Sequence, residues 1–224
     1  GNANVAIGME ALQANTTADA NTAVGYKALE ANTNGAMNTA LGWSALLVSN
    51  GDHNTALGHS ALLANTTGDN NLAVGRDTLT ANTSGSRNTA LGRGALAANT
   101  TVSNNTAVGY EALNDNTTGT QNTAVGAYAL DAVTTTGYHT AVGYNAAGAN
   151  TTGEYHVAIG REALAANTTG TRNTAVGNEA LEVNTTGNYN VAIGYKALED
   201  NNADGNVAVG YEASQENTTG ANNV

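Results

Sequence analysis

A pentad of the form N-x-A-[VIL]-G recurs thirteen times along the chain, and this repeat constrains the fold more than any other feature. The first residues of successive pentads are seventeen residues apart, except for intervals of sixteen from Asn38 to Asn54 and from Asn190 to Asn206. Repetition at a fixed short period is typical of architectures in which each repeat packs only against its neighbours in the sequence.

We number the unit from the leading residue of the pentad, so that Asn173 is position 1 and Tyr189 is position 17 of one complete copy. Position 3 is alanine and position 5 is glycine in all thirteen copies, and position 4 is always valine, leucine or isoleucine. Position 8 is nearly always alanine, position 9 is nearly always leucine, and positions 12 to 15 usually read N-T-T-G. An invariant alanine indicates space for only a methyl group, and an invariant glycine indicates a positive φ or a close backbone approach.

The pentad alternates and is rich in β-branched residues, which predicts a short strand. We expect a second short strand at positions 6 to 10, with turns at the glycine and at N-T-T-G. The fold class predicted for residues 1–224 is therefore all-β, a single array forming a β-solenoid (a parallel β-roll) of about 13 coils with 16 to 17 residues each. The asparagine and threonine rows should hydrogen-bond from coil to coil. The two shorter coils should lose their residue in a turn, around residues 49–51 and 201–203, without disturbing the strands.

The chain begins and stops inside the repeat pattern, whereas solenoid ends usually carry atypical capping repeats. We therefore expect the array to be a segment of a longer fibre.

Positions 2 and 4 of the strand face one way, and positions 1, 3 and 5 face the other. Both faces look buried, because one always carries alanine and the other always carries a branched aliphatic residue. We expect the alanines at positions 3 and 8 to line the coil interior, and leave the direction of the leucines at position 9 open. The other face needs a cover, and the simplest one is another copy of the chain. The predicted homo-oligomer interface is the aliphatic row at position 4: Ile7, Val24, Leu41, Leu57, Val74, Leu91, Val108, Val125, Val142, Ile159, Val176, Ile193 and Val209.

Composition excludes several classes of protein. A net charge of -11 with seven scattered lysines and arginines argues against binding to nucleic acid or to an anionic membrane. No apolar run approaches the roughly 20 residues of a membrane-spanning helix. The absence of cysteine excludes disulfides and cysteine-ligated metals, and a chain with one tryptophan and no phenylalanine cannot fill a core of normal thickness.

No motif for catalysis, phosphate binding or zinc ligation occurs, and the calcium-binding solenoid motif G-G-x-G-x-D is also absent. We therefore expect no enzymatic activity and no cofactor. A polysaccharide lyase built on a β-helix would need clustered carboxylates in a groove, and no coil departs enough from the others to form one.

Three local features have both a functional and a structural interpretation. His139 and His156 occupy position 1 of adjacent coils, which fits either a metal or pH-sensitive site or two substitutions in the asparagine row. The N-x-[ST] triplets at position 12 are either glycosylation acceptors or part of the turn. Position 6 is rich in residues that are favoured at binding surfaces, and could form a receptor- or sugar-contacting stripe or a solvated row: Tyr26, Trp43, Tyr110, Tyr144, Arg161, Tyr195 and Tyr211.

The segments Val5-Ala6-Ile7-Gly8, Val157-Ala158-Ile159-Gly160 and Val191-Ala192-Ile193-Gly194 resemble the core of the head repeats in YadA-type trimeric autotransporter adhesins. The longer N-T-A-V-G-Y-x-A-L-x-x-N-T-T-G pattern is similar to arrays in tail-fibre-like proteins that end in an intramolecular chaperone. The resemblance covers essentially the whole chain, although this unit is longer than the usual head repeat and adds N-T-T-G. It implies a left-handed β-roll with three chains side by side.

On this basis we expect a structural or adhesive fibre segment, a homotrimer in a cell-surface fibre or a virion tail fibre outside the cell. Its expected partners are its own copies and a host-cell, matrix or glycan receptor, with no membrane contact by this segment. The alternative is an ice-binding β-solenoid that uses threonine rows at positions 2, 13 and 14. Valine or leucine interrupts the threonines at position 2 in several coils, which favours burial of that row.

Overall fold

The computed structural model describes residues 1–224 and confirms a parallel β-solenoid. Thirteen strands of three residues each, one per repeat, form a single parallel sheet in sequence order. No helix in the structure has the length and apolarity needed to span a membrane. The strands are β1 (Val5–Ile7), β2 (Thr22–Val24), β3 (Thr39–Leu41), β4 (Thr55–Leu57), β5 (Leu72–Val74), β6 (Thr89–Leu91), β7 (Thr106–Val108), β8 (Thr123–Val125), β9 (Thr140–Val142), β10 (Val157–Ile159), β11 (Thr174–Val176), β12 (Val191–Ile193) and β13 (Val207–Val209).

The chain divides into two compact units, residues 1–111 and 112–224. Within the first unit, β1 to β7 pair in order, and equal repeat positions lie opposite each other, as Ala23 does with Ala40. The second unit repeats this register from β8 to β13, with Ala158 opposite Ala175. Each side chain therefore stacks on its counterpart in the next coil.

The interior of the coil is built from three apolar rows. The alanines at positions 3 and 8 are fully buried in nearly every coil, which confirms that they line the interior. The leucines at position 9, whose direction the sequence left open, also point inward, and Leu29, Leu96 and Leu181 are each 0% exposed. A thin core of methyl groups and leucines is thus enough to fill each coil.

The expected second strand is wrong, because positions 6 to 11 form a series of turns. Positions 7 and 9 have positive φ angles near 55° in every coil, as in Lys27 (58°) and Leu29 (53°). Amides along this segment alternate between two kinds of partner. Leu29 donates its amide to Ala45 of the next coil, whereas Glu30 donates to Lys27 of its own coil. Alternate amides therefore still connect neighbouring coils, although the backbone is not extended.

The shorter coils keep their strands in register, as predicted. Thr39 in β3 pairs with Thr55 in β4, and Val191 in β12 pairs with Val207 in β13. In a full-length coil, the carbonyl of Thr83 accepts the amides of Thr66 (2.8 Å) and Thr67 (3.0 Å) of the preceding coil.

Asparagine side chains replace this carbonyl in both shorter coils. Asn50 Oδ1 accepts the amides of Thr33 (2.8 Å) and Asn34 (3.3 Å), and Asn202 Oδ1 accepts the amide of Thr185 (2.7 Å). The residue lost from the turn is thus compensated by a side-chain carbonyl at the same place in both shorter coils.

We expect Asn50→Ala to lower the free energy of unfolding by about 1 kcal/mol, because the side-chain acceptor for two amides is lost while water can partly replace it. Urea denaturation followed by circular dichroism would measure the change. Asn34→Thr is the control, since most coils carry threonine at that position. Equal stability of the Asn50→Ala and control variants would contradict this role for Asn50.

Candidate interaction surface

The side chains at positions 2 and 4 form a continuous outer face on the strands. The aliphatic row lies outside the coil of the single chain, where Leu41 is 45% exposed, Leu57 41% and Ile159 38%. Position 2 contributes threonine, valine or leucine beside it, and these side chains are also half-buried or exposed. The alternation of the strand is therefore as predicted, with positions 1 and 3 inside and positions 2 and 4 outside.

No charged residue occurs at either position of this outer face. The thirteen residues at position 2 and the thirteen at position 4 are all threonine, valine, leucine or isoleucine. The chain carries eighteen acidic and seven basic residues, and all of them lie on other rows. A sheet face exposed to water usually carries charged residues, whereas this face combines threonines at position 2 with an unbroken aliphatic row at position 4.

The aromatic residues at position 6 stack on one another between coils. Trp43 lies between Tyr26 and His59, with ring centroids 5.9 and 4.7 Å away and interplanar angles of 22° and 11°. Tyr195 and Tyr211 stack at 5.4 Å. Because ring faces are already in contact with each other, mainly ring edges and polar tips remain for a partner.

The other members of the predicted stripe at position 6 also have partners within the chain. The guanidinium of Arg93 lies 5.6 Å from the ring centroid of Tyr110, and Tyr144 meets Tyr128 edge to face. Arg161 pairs with Glu162 at 2.7 Å and Glu179 at 3.0 Å. These contacts stabilise the coil stack, and a receptor-binding role for the stripe stays a prediction.

Position 17 carries a second stack, which was not predicted from the sequence. Tyr138 and Tyr155 stack at 5.3 Å, and the Arg172 guanidinium lies between the rings of Tyr155 (5.1 Å) and Tyr189 (5.6 Å). The signal was present in the sequence, because these four residues all precede position 1 of consecutive coils.

Three carboxylates come together on coils 11 and 12. Oxygens of Glu179, Glu182 and Glu199 lie within 4.8 Å of one another. The Lys196 ammonium binds Glu199 at 2.8 Å and Glu179 at 3.2 Å, and these contacts raise the pKa of Lys196 and lower the pKa of both partners. Burial raises the pKa of Glu182. The ammonium already supplies the positive charge that the cluster needs.

Two buried asparagine ladders run inside the coils. In the first, at position 1, Asn38 donates its backbone amide to Asn21 Oδ1 at 2.8 Å and its side-chain amide to the Gly51 carbonyl at 2.7 Å. In the second, at position 12, Asn82 Nδ2 donates to Asn65 Oδ1 at 2.8 Å and to the Gly85 carbonyl at 2.9 Å. The predicted coil-to-coil bonding of asparagine is thus confirmed.

The second ladder also decides between the two interpretations of the N-x-[ST] triplets. Asn65, Asn82 and Asn167 are 0% exposed, and their side-chain nitrogens already donate hydrogen bonds. A glycan cannot be joined to such a nitrogen in the folded coil. The triplets are therefore part of the turn.

Val133 interrupts the second ladder next to a buried polar atom that is unpaired. Asn116 Oδ1 has no hydrogen-bond partner, as is also the case for Oδ1 of Asn15, Asn99 and Asn184, and the next residue in its row is the valine. Beyond the valine, Asn150 Nδ2 donates only to the Gly153 carbonyl.

We expect Val133→Asn to raise the free energy of unfolding by about 1 kcal/mol, since the new amide would pair with both Asn116 and Asn150. Val133→Leu is the matched control, because leucine has nearly the shape of asparagine but carries no hydrogen-bonding group. Thermal and urea unfolding would measure both variants. A destabilised Val133→Asn variant would contradict the ladder interpretation.

His139 and His156 occupy the first ladder and act as asparagines. His139 Nδ1 accepts the amide of His156 at 3.4 Å, and His156 Nδ1 accepts the amide of Asn173 at 3.3 Å. The rings are stacked with centroids 5.3 Å apart, and both side chains are 1% exposed. In this geometry both rings take the places of asparagines in the row, with Nδ1 in the role of the side-chain oxygen.

Comparison with protein-family models, with curated proteins and with solved structures finds no match for this chain. The fold and the surfaces described above are therefore the basis for a proposed function.

Proposed function

We propose that the chain is a structural segment of an adhesive fibre, in which copies associate side by side through the outer face. The observation that carries this proposal is the uncharged outer face, where eight of the thirteen side chains in the aliphatic row are 36 to 66% exposed in the single chain and the other five are half-buried. Exposed apolar patches of this extent on a soluble protein usually mark an interaction site.

A second copy of the chain is the partner that fits this face best. The row has one aliphatic side chain per coil, so a partner with the same period can match it along its whole length. Burying the exposed half of a branched side chain contributes about 1 kcal/mol, so thirteen of them contribute on the order of 10 kcal/mol per chain before association costs. Such a face supports stable association of the chains.

Three copies are proposed because the VAIG segments resemble the head repeats of trimeric adhesins. Three outer faces would then meet around a common axis, and the stacked residues at positions 6 and 17 would remain on the outside. The tyrosine hydroxyls and the exposed ring edges of these stacks would then be accessible to a receptor at the surface of a cell or particle.

Multi-angle light scattering of the purified chain over a hundredfold range of concentration tests the proposal. We expect a mass three times that of one chain, with no dissociation to monomers on dilution. A stable monomer would overturn side-by-side association, and a stable dimer would retain association but exclude the trimer.

An ice-binding surface is the alternative for the same face, because threonines at position 2 are presented outward in a regular array. Strands are about 4.8 Å apart, so threonines of neighbouring coils repeat at that spacing, and the aliphatic row runs beside them at about 6.7 Å along each strand. The threonines at position 13 are less suitable, since Thr66 Oγ1 already donates to Thr83 and Thr168 Oγ1 to Thr185. A monomer that inhibits ice recrystallisation would favour this alternative over the fibre.

A further inference from the structure

We propose that the stacked His139–His156 pair makes coils 8 to 10 an acid-sensitive segment of the solenoid, which opens locally when the rings are protonated. The pair replaces asparagines at two consecutive places of a ladder that is otherwise asparagine throughout. This proposal concerns the response of the coils to pH and goes beyond the proposed fibre function.

Both rings depend on an unprotonated Nδ1 to connect the coils. Nδ1 of His139 and Nδ1 of His156 are the acceptors for backbone amides of the following coils. Nε2 of His139 lies 3.1 Å from Thr136 Oγ1, and the His156 ring also hydrogen-bonds the backbone of Gly170. An asparagine makes the same two kinds of contact with its oxygen and its nitrogen, but it does not titrate.

Protonation would break these connections and leave two unpaired charges inside the coil. A proton on Nδ1 would point at an amide N–H, so that an acceptor becomes a second donor. The two cations would then be stacked at 5.3 Å without a buried anion. Burial, followed by repulsion from His156, lowers the pKa of His139 to about 3, and burial lowers the pKa of His156 to about 4.

No carboxylate compensates the pair from the coils that pack against it. Asp131, Glu154 and Glu162 lie on exterior rows and are half-buried or exposed, as are Arg161 and Arg172. None of them contributes to the pKa of either histidine. The interior of these coils therefore offers only neutral groups to an imidazolium.

The same coils carry two substitutions in the interior rows. Val133 interrupts the second ladder in coil 8, and Ala147 replaces the buried leucine of position 9 in coil 9. A smaller side chain buries less apolar surface, so local opening costs less here than in coils with leucine. The titratable pair thus lies in a segment that is easier to open than an interior coil with leucine.

The sign of the effect follows from the lowered pKa values. The neutral rings contribute their full stability above the unfolded value of about 6.5, and this contribution is lost as the pH falls towards 4. Each histidine that is released on opening should raise the opening equilibrium constant about tenfold per pH unit in that window.

Hydrogen exchange of backbone amides, measured by NMR between pH 6.8 and 4.5 and corrected for intrinsic rates, tests the proposal. We expect protection of the His156 and Asn173 amides to fall at least tenfold per pH unit, while that of Asn206, whose partner is Asn190 Oδ1, changes much less. In the double variant His139→Asn, His156→Asn the three amides should behave alike. The double variant His53→Asn, His59→Asn is the control, since both residues are exposed, and it should behave as the wild type.

Two results would overturn the proposal. One is a pH dependence at His156 and Asn173 that is unchanged in the His139→Asn, His156→Asn variant. The other, which needs no variant, is titration of both imidazole rings in the wild type near pH 6.5 with protection of the two amides intact.

Discussion

Gly177→Ala is expected to destabilise the solenoid by about 3 kcal/mol or more, because the added Cβ would strain the backbone of residue 177 and would also clash with the next coil. Gly177 has a φ of 139°, outside the left-handed helical region and accessible essentially to glycine alone. A Cβ at this position would overlap the backbone carbonyl of Gly194 in the next coil. To relieve that overlap, the two coils would have to move apart, although backbone hydrogen bonds connect them in both the strand and the turns. The midpoint of urea unfolding and the exchange of amides in coils 11 and 12 would measure the loss.

Gly210→Ala separates the two effects. Gly210 has nearly the same φ of 135°, but the nearest atom that a Cβ would meet is Ala213 Cβ at 3.8 Å. This variant should therefore suffer the backbone strain alone and lose at least about 1 kcal/mol less than Gly177→Ala. If the two variants were equally destabilised, the close approach of the coils would have no energetic weight.

The rows of invariant residues explain why most of the fold could be predicted. Ala23 and its equivalents had to face a narrow interior, and the position 5 glycine had to combine unusual φ with close approach, as Gly177 does. The register was predictable because a repeat of fixed length brings equal residues opposite each other. The register of the shorter coils could be predicted as well, since the pentads on both sides of each deletion are intact.

The turns at positions 6 to 11 could not be predicted, because nothing in the residue types indicates them. Lys27 and Leu29 have positive φ, although lysine and leucine are not residues that favour it. The conformation is imposed by alternate hydrogen bonds within the coil and between coils, which a propensity argument for one segment does not contain. The inward direction of the leucine row depends on the same turns and was left open for that reason.

The candidate surface was predictable in part. Alternation placed the aliphatic row on the outside, but the stacking of Trp43 with its neighbours depends on side-chain geometry that no sequence pattern specifies. The two histidines were recognised as neighbours in one row. That Nδ1 of each ring accepts the amide hydrogen bond normally accepted by an asparagine oxygen could be seen only in the structure.

The double variant Val125→Asp, Val142→Asp is expected to abolish association of the chains while leaving each single chain folded. Val125 and Val142 lie opposite each other on β8 and β9 and are only half-buried or exposed in the single chain, so water can solvate carboxylates there. Around a common axis the same carboxylates would converge from every copy without a counter-charge. Unpaired buried charges are strongly unfavourable, and the loss should exceed about 5 kcal/mol per assembly. Light scattering should show monomers for this variant and the proposed trimers for the wild type.

The matched control places the same charges on the same coils but on a different row. Thr135 and Thr152 occupy position 14 of coils 8 and 9, and both are exposed. Thr135→Asp, Thr152→Asp adds the same net charge, so general repulsion between chains is equal in the two variants. If only the valine variant dissociates, the aliphatic row is the interface. If both variants remain trimeric with unchanged melting temperature, the outer face does not lie at the axis and the chains associate through another surface.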